Sequence, residues 1–342
     1  MMRGGAITLP AAKLHSLLHQ LRNRRMEPIR KLAMLEDAVK GGPQMTMAVA
    51  AGGDPATVRA VSRAVMKGLI KAILVGRQDR IESLTMGHDP RFARQVEVVH
   101  VEDETETARE AVRLVHEKKA DFVMKGLVPT DVLMRAVLDK ENGLIPKGGL
   151  LSHVAVMEAP AYPKLLLVTD AAIIPNPNMD EKVQILNYVI DVAHGLGIQM
   201  PKAALVSAAE KINFKMQSSI DAAVIKAMAE RKQILGAIVD GPLALDVALS
   251  KEHCRIKGLD SPIDGEADIL LFPNIETANT FYKCITLLAQ GKCASVTVGT
   301  TAPVVLSSRA DDDDTKFYSI VLAARLASHR TQKAEPSRGF GA

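Results

Sequence analysis

The chain has 342 residues, of which 47% are hydrophobic and 24% are charged, and its formal net charge is +4. These values are typical of a globular protein long enough for two domains, and no apolar run approaches the roughly 18–20 residues that a membrane span needs. The lack of Trp and of any long basic run disfavours nucleic-acid binding, whereas a mildly basic surface suits anionic substrates.

The cysteines and the N-terminal segment favour a cytoplasmic location. Cys254, Cys284 and Cys293 are odd in number and form no CxxC pair, so neither a disulfide framework nor a zinc site is expected. The N-terminal segment is rich in Arg and His and lacks the apolar core of a signal peptide. We therefore expect a reducing compartment and no metal site.

Strand-like and helix-like patterns alternate along the chain. After a helical leader at about 11–41, the predicted strands are 45–51, 72–75, 96–101, 122–125, 154–158, 165–169, 203–206, 237–240, 269–272 and 295–298. The predicted helices between them include 105–118, 130–139, 181–194, 218–231 and 275–289. Such alternation requires crossover connections and predicts a largely parallel sheet with helices on both faces. The polar segment 329–342 is predicted to be a frayed tail.

A boundary between two α/β domains is predicted near Pro146, because this proline and the glycines at 148–149 break the helical pattern. The first domain is expected to comprise residues 1–146 plus about 304–342, and the second about 147–303. Ligands of such folds bind beyond the carboxyl ends of the strands. The loops to examine at these ends are 125–130, 170–178, 240–246 and 307–315.

Several common catalytic motifs do not occur in the sequence. GxxxxGK[ST], GxGxxG, HExxH and GxSxG are all missing, which argues against P-loop, dinucleotide-binding, zincin and α/β-hydrolase chemistry. Gly52 and Gly53 follow the first predicted strand and predict either a phosphate-binding turn or, as we prefer, a plain turn with Asp54 capping the next helix.

Two segments carry candidate anion-binding groups. Lys125 ends a predicted strand and Thr130 begins a helix, so an ammonium, a hydroxyl and a helix N-terminus are expected together. A solvated lysine with Thr130 as helix cap is the alternative. Asn279 and Lys283 are four residues apart and share a helix face. That face either presents an amide and an ammonium to a cleft or is simply solvated.

Two further polar residues are ambiguous. Asn176 lies in the loop DAAIIPNPN at 170–178 and offers a side-chain amide for substrate binding, although Asn-Pro pairs also make ordinary turns. His153 lies on an apolar predicted strand. We expect it to be a hydrogen-bonded interior histidine rather than a catalytic group.

Five motifs occur in the order found in one known family. They are VMKGL at 123–127, the DAAIIPNPN loop, VDGPLALDVAL at 239–249, ADILLFPNIETANTFYK at 267–283 and LSSR at 306–309. With these motifs the chain resembles the phosphate acetyltransferase and phosphate butyryltransferase family, most closely the butyryltransferase branch, over about residues 45–328.

The resemblance implies a fold and an activity. The implied fold has two α/β domains with mainly parallel sheets, as in isocitrate and isopropylmalate dehydrogenases, with an active-site cleft between them and a homodimeric assembly. The implied activity transfers a short acyl group, butyryl or branched-chain, between coenzyme A and phosphate. Coenzyme A is then a substrate, no metal or redox cofactor is expected, and the partners are small molecules rather than nucleic acid or membrane.

The resemblance also implies roles in the loop 307–315. Ser308 is expected to hydrogen-bond at the reacting centre and Arg309 to contact phosphate or the transition state, since an arginine fork matches phosphate geometry. Acetyltransferases of the family carry a base aspartate seven residues after that serine, but this chain has Thr315 there and Asp314 one residue earlier. Either Asp314 is the base, or the thiol needs no dedicated protein base.

The four consecutive aspartates at 311–314 have a structural explanation as well. Acidic residues before a helix cap its N-terminus and interact favourably with its dipole. We expect Asp311 to be the cap, and we leave Asp314 open between a first-turn charge and a catalytic base.

Three other functions remain compatible with the sequence. The protein could be a phosphate acetyltransferase, because one methylene changes binding by only about 1–3 kcal/mol. It could be a metal-dependent hydroxyacid dehydrogenase if the aspartates at 311–314 bound a divalent ion. It could also be a non-catalytic acyl-CoA-binding sensor, which the missing aspartate at Thr315 would explain.

Overall fold

The computed structural model describes residues 27–306 and 311–334. Within these two ranges, no helix is both long enough and apolar enough to cross a membrane. Of the leader predicted at 11–41, the described part forms one short helix, and residues 11–26 lie outside the described residues.

The described residues form an 11-stranded sheet and the helices around it. The strands are β1 (Met45–Ala50), β2 (Ile70–Gly76), β3 (Val96–His100), β4 (Phe122–Lys125), β5 (Ser152–Glu158), β6 (Leu166–Thr169), β7 (Lys202–Val206), β8 (Ile238–Leu243), β9 (Ile269–Leu271), β10 (Lys292–Val298) and β11 (Val304–Val305). The helices are α1 (Met34–Lys40), α2 (Pro55–Met66), α3 (Gln78–His88), α4 (Pro90–Ala93), α5 (Glu104–His116), α6 (Thr130–Val137), α7 (Met179–Gly195), α8 (Gln217–Glu230), α9 (Leu245–Leu249), α10 (Lys251–Lys257), α11 (Ile275–Lys283), a π-helical turn (Cys284–Leu288) and α12 (Asp313–Ala334).

The sheet is mixed but mainly parallel. Its strand order is β3-β2-β1-β4-β11-β10-β5-β6-β9-β7-β8. The strands from β3 to β11 pair in parallel, as do β6, β9, β7 and β8. In between, β10 is antiparallel to β11 and β5, and β5 is antiparallel to β6. The predicted α/β class with a mainly parallel sheet is confirmed, whereas the division into two domains at about residues 146 and 303 stays a prediction.

Helix caps explain where two helices begin. The Asp54 carboxylate accepts hydrogen bonds from the backbone N–H groups of Ala56 and Thr57, so it caps α2 as expected. At α12 the prediction of Asp311 as cap is wrong by one residue. The Asp312 carboxylate accepts the bond from Thr315 N at 2.6 Å, because the chain turns into the helix at Asp313.

Helix α12 extends further than predicted. Its 22 residues run to Ala334, so the segment 329–334 is helical rather than a frayed tail, and residues 335–342 lie outside the described residues. The helix is buried along most of its length and packs against β10, α1 and α2. The last turns are half-buried or exposed, and polar contacts tie them to the rest of the protein: Arg330 donates to the backbone oxygen of Thr300 at 2.9 Å and Lys333 to Asp191 at 2.8 Å.

The two faces of the sheet are covered differently. On one face a continuous apolar core spans strands from β1 to β8 and is covered by α2, α7, α8 and α12. On the other face there are two separate apolar clusters, one under α5 and α6 and one under α9, α10 and α11. Between these two clusters the second face has a gap, next to His153 on β5 and Ser295 on β10.

Candidate active site

A cleft of about 820 Å³ occupies this gap between α6 and α11. Its lining residues are Lys125, Val128, Pro129, Thr130, Asp131, Met134, His153, Ala171, Ala172, Ile173, Asn279, Tyr282, Lys283, Ser295, Leu306 and Asp311. Side chains alternate along a strand, so His153 on β5 and Ser295 on β10 point to the face with the gap and form the cleft floor. Four of the five predicted substrate-binding residues therefore meet in one place.

Lys125 forms part of the cleft wall at the end of β4. Its side chain is buried, with the residue only 5% exposed, and Nζ donates to the backbone oxygens of Gly126 at 3.2 Å and Val128 at 3.3 Å. The alternative of a solvated lysine is therefore wrong. Gly126 is required beside it, because an added Cβ would lie 2.3 Å from the backbone oxygen of Ala51.

Thr130 lies on the same wall as the first residue of α6. Pro129 occupies the cap position of this helix and makes no side-chain cap bond, so Thr130 is not the cap. Arg135, one turn further on, is exposed and pairs with Asp131 at 2.6 Å. The cleft end of α6 thus combines a helix N-terminus with the Thr130 hydroxyl, beside the Lys125 ammonium.

Asn279 and Lys283 line the opposite wall on α11, as their spacing of four residues predicts. The Asn279 amide donates to the backbone oxygen of Ala171 at 2.9 Å, which ties α11 to the loop after β6. The Lys283 ammonium lies 5.1 Å from the ring centroid of Tyr282, within the range of a cation–π contact. Asn274 caps the helix by accepting from Thr277 N.

Asp170 organises the loop that follows β6. This buried carboxylate accepts four hydrogen bonds, from Ser152 Oγ at 3.0 Å, His153 N at 3.1 Å and the N–H groups of Ala172 and Ile173 at 2.8 Å each. It therefore fixes the backbone that lines the cleft and the start of β5. Asp170 was not predicted as a site residue, because its partners on β5 are adjacent to it only once the sheet has formed.

Asn176 lies apart from the cleft. It is exposed on the loop between β6 and α7 and is not among the residues that line the cleft. Asn178, two residues later, caps α7 in a capping box with Glu181. Substrate binding by Asn176 stays a prediction.

His153 lies at the cleft floor with its residue 8% exposed. The predicted interior position is confirmed, but among the described residues Nδ1 has no hydrogen-bond partner, so the ring is not fully hydrogen-bonded as expected. Burial lowers the pKa of the imidazole, and the carboxylates of Asp170 and Asp311 oppose that shift. The ring is therefore neutral at pH 7.

Two other reactive groups near the cleft remain protonated at neutral pH. Burial raises the pKa of the Cys293 thiol to about 12. Burial also raises the pKa of the Tyr282 phenol, and nearby Cys293 and Asp311 add to the shift. Neither group supplies a nucleophile at pH 7.

The predicted catalytic residues are placed only in part. Ser308 and Arg309 lie outside the described residues, but Leu306 and Asp311, the described residues on either side, both line the cleft. Asp314 is not among the residues that line the cleft. Its half-exposed carboxylate accepts from Arg63 Nη1 of α2 at 2.5 Å. The roles of these three residues stay predictions.

The cleft combines two lysines, one amide and several hydroxyl groups with the carboxylates of Asp131 and Asp311. In α/β proteins, a cleft beyond the strand ends with a few polar groups is the usual ligand site. Residues 94–324 match the family model described as "Phosphate acetyl/butaryl transferase". The chain belongs to this family of acyltransferases, as its motifs predicted.

The chain aligns with nearly the whole length of individual relatives. Phosphate butyryltransferase of Clostridium acetobutylicum is 45% identical over 294 residues, which are 85% of this chain and 96% of that protein. Phosphate acetyltransferase of Thermotoga maritima is 39% identical over 286 residues, which are 84% of this chain and 96% of that protein. The crystal structure of a branched-chain phosphotransacylase from Enterococcus faecalis V583 superposes with a TM-score of 0.75 at 36% identity, covering 83% of this chain and 99% of that one.

Proposed function

We propose that the protein catalyses the reversible reaction of a short-chain acyl-CoA with phosphate to give an acyl phosphate and coenzyme A. The observation that carries the proposal is the cleft that joins Lys125 and Thr130 on one wall to Asn279 and Lys283 on the other. This cleft places two ammonium groups, a hydroxyl, an amide and a helix N-terminus around one volume. Such groups bind phosphate and stabilise negative charge in a transition state.

The reaction proceeds by direct transfer. In the direction of acyl-CoA synthesis, the coenzyme A thiolate attacks the carbonyl carbon of the acyl phosphate, and the bond from that carbon to the phosphate oxygen breaks. Lys125 and Thr130 hold the departing phosphate, while Asn279 and Lys283 bind the substrates from the α11 side of the cleft. Ser308 and Arg309, bracketed by cleft residues, complete the site by contacting the reacting carbonyl and the phosphate.

We propose an acyl group larger than acetyl, namely butyryl or a short branched chain. Support comes from the names of the relatives, which include a phosphate butyryltransferase and a branched-chain phosphotransacylase. Acetyl transfer is the second candidate, because a phosphate acetyltransferase is 39% identical. One methylene in an apolar pocket changes the transition-state energy by only about 1–3 kcal/mol, so the preference is a matter of degree.

Three further properties belong to the proposal. The reaction uses coenzyme A as a substrate and needs no metal or redox cofactor. The protein acts in the cytoplasm, as its cysteine pattern suggests, and it works as a homodimer. Leu287 and Leu288, in the π-helical turn after α11, are exposed apolar side chains that a second copy could cover.

The test is release of free thiol from butyryl-CoA, isobutyryl-CoA and acetyl-CoA, each with and without phosphate. We expect phosphate-dependent release that is fastest with a four-carbon acyl group and is lost in Arg309→Ala. Folded protein that binds coenzyme A but releases no thiol from any of the three would leave the acyl-CoA-binding sensor as the function.

A further inference from the structure

The proposed reaction requires an acceptor for the thiol proton. An ordinary thiol has a pKa of about 8.5, so only a few per cent is thiolate at pH 7. The family position for the base holds Thr315, and the neighbouring Asp314 pairs with Arg63 outside the cleft lining. The acceptor must therefore be sought among the groups that do line the cleft.

Most titratable groups of the described cleft lining are poor acceptors. The ammonium groups of Lys125 and Lys283 are hydrogen-bond donors with no acceptor atom, and burial raises the pKa of the Tyr282 phenol. Asp131 is exposed and paired with Arg135 at 2.6 Å. This leaves the carboxylate of Asp311 and the imidazole of His153.

A carboxylate is a weaker base than an imidazole. Ordinary pKa values are about 3.9 for Asp and about 6.5 for His. A general base works best when its pKa is close to the working pH, because it is then both unprotonated and reasonably basic. By its ordinary chemistry, an imidazole is therefore the better acceptor of a thiol proton than a carboxylate.

The surroundings of His153 suit proton transfer. Asp170 accepts from the backbone N–H of His153 and from Ser152 Oγ, which fixes the start of β5 and hence the ring's anchor point. The ring lines the cleft and its buried Nδ1 has no partner within the described residues. Desolvation keeps the resting imidazole neutral, and the carboxylates of Asp170 and Asp311 stabilise an imidazolium once it forms.

We propose that His153 accepts the proton of the coenzyme A thiol when the sulfur attacks an acyl phosphate. The S–H bond breaks, an imidazole nitrogen takes the proton, the S–C bond forms and the phosphate leaves with the electron pair of its C–O bond. The imidazolium then releases its proton to water. In the opposite direction the imidazolium protonates the departing thiolate. The assignment rests on the proposed function.

Substitution of the histidine gives the first test. In His153→Gln we expect kcat at pH 7 to fall by about 10²–10³-fold with the KM for coenzyme A nearly unchanged, because a positioned general base contributes roughly 10²–10⁴-fold. The remaining rate should rise tenfold per pH unit up to about pH 8.5, where the free thiol itself ionises. His253→Gln, at an exposed position of α10, is the matched control and should keep the wild-type rate and pH profile.

The pH profile of the wild-type enzyme gives the second test, which does not depend on how well the variant folds. A histidine base predicts a rate that is flat from neutral pH to about pH 8.5 and declines only below the ordinary histidine pKa of about 6.5, because burial lowers the pKa of His153. A wild-type rate that rises tenfold per unit throughout this range would overturn the proposal, because the thiol would then ionise without protein assistance. An acidic decline that persists unchanged in His153→Gln would also contradict the assignment to His153.

The outcomes separate this inference from the proposed function. Phosphate-dependent thiol release by the wild type, with an unchanged kcat and pH profile in His153→Gln, contradicts the role of His153 alone. Absence of phosphate-dependent release from the wild type contradicts the proposed function itself.

Discussion

At the scale of single residues, Lys125 is a group that we propose binds the anionic substrate. Its ammonium is buried and held by two backbone carbonyls, so the charge has little freedom to move before substrate arrives. In Lys125→Met we expect kcat/KM for phosphate to fall by about 10²-fold, the usual loss when one group that stabilises transition-state charge is removed. Steady-state kinetics at varied phosphate checks this. Lys140→Met, at an exposed position, is the control, and an unchanged kcat/KM in Lys125→Met would contradict the role.

Asp314 offers a contrasting prediction at the same scale. Its carboxylate is bonded to Arg63 and lies outside the cleft lining. In Asp314→Asn we expect kcat to stay within about threefold of the wild-type value. We expect denaturant unfolding to show that the free energy of unfolding falls by no more than about 1 kcal/mol, as for other exposed ion pairs. A hundredfold fall in kcat would instead make Asp314 the base.

The candidate site could be predicted from the sequence only where it depends on local order. Lys125 and Thr130 were found because they join a strand to a helix, and Asn279 and Lys283 because they share a helix face. The position of His153 at the cleft floor and its unpartnered Nδ1 could not be predicted, because they depend on β10, which pairs with β5 from about 140 residues further along the chain. Non-local pairings of this kind leave no mark in the residues next to His153.

At the scale of elements, the turn from β4 to α6 depends on Gly126. An added Cβ would lie 2.3 Å from Ala51 O and 2.6 Å from Ala50 O. Both are backbone atoms of the sheet region, which cannot move aside without a large energetic cost. We expect Gly126→Ala to lower the free energy of unfolding by about 1–3 kcal/mol or more, as for other overpacked sites. Gly87→Ala on α3, where an added Cβ meets nothing within 4 Å, is the control and should be neutral or stabilising. Equal stability of the two variants would contradict this account.

Helix α12 should make stability depend on pH through His329. Burial lowers the pKa of this histidine, Arg325 and Lys333 lower it further, and Asp191 opposes them. The folded state therefore favours the neutral ring, so its contribution is complete above the unfolded pKa of about 6.5 and is lost as the pH falls below it. We expect a lower Tm at pH 5.5 than at pH 7.5, and a smaller difference in His329→Gln. His253→Gln should keep the wild-type difference in Tm between pH 5.5 and pH 7.5. The same Tm difference in His329→Gln as in the wild type would contradict the role of His329 in this pH dependence.

The elements themselves were largely predictable, since each of the ten predicted strands matches an observed one. β11 was missed because two residues are too short to show a periodicity, although they lie between β4 and β10 in the sheet. The helical end of α12 was not predicted because its long-range contacts, from Arg330 to Thr300 and from Lys333 to Asp191, leave no periodic apolar pattern in the sequence.

At the scale of the whole molecule, the exposed end of α11 bears on the assembly. Leu287 and Leu288 are 73% and 81% exposed, and no residue of the π-helical turn that carries them is buried. If this turn packs against a second copy, replacing both leucines with glutamate should shift the protein from dimer to monomer, because charge is depleted at interface cores. Light scattering on the eluate of a sizing column measures this. A wild-type monomer would contradict the homodimer, and an intact double-variant dimer would place its interface elsewhere.

The central claim is that an acyl group is transferred to phosphate in the cleft next to β5 and β10. The most direct measurement incubates the protein with butyryl-CoA and phosphate and quantifies acyl phosphate, trapped as a hydroxamate, beside the free thiol. We predict one acyl phosphate for each thiol released, and neither product when phosphate is left out. Thiol release that does not need phosphate, or that yields the free acid without acyl phosphate, would contradict the account, because the protein would then be a thioesterase rather than a transferase.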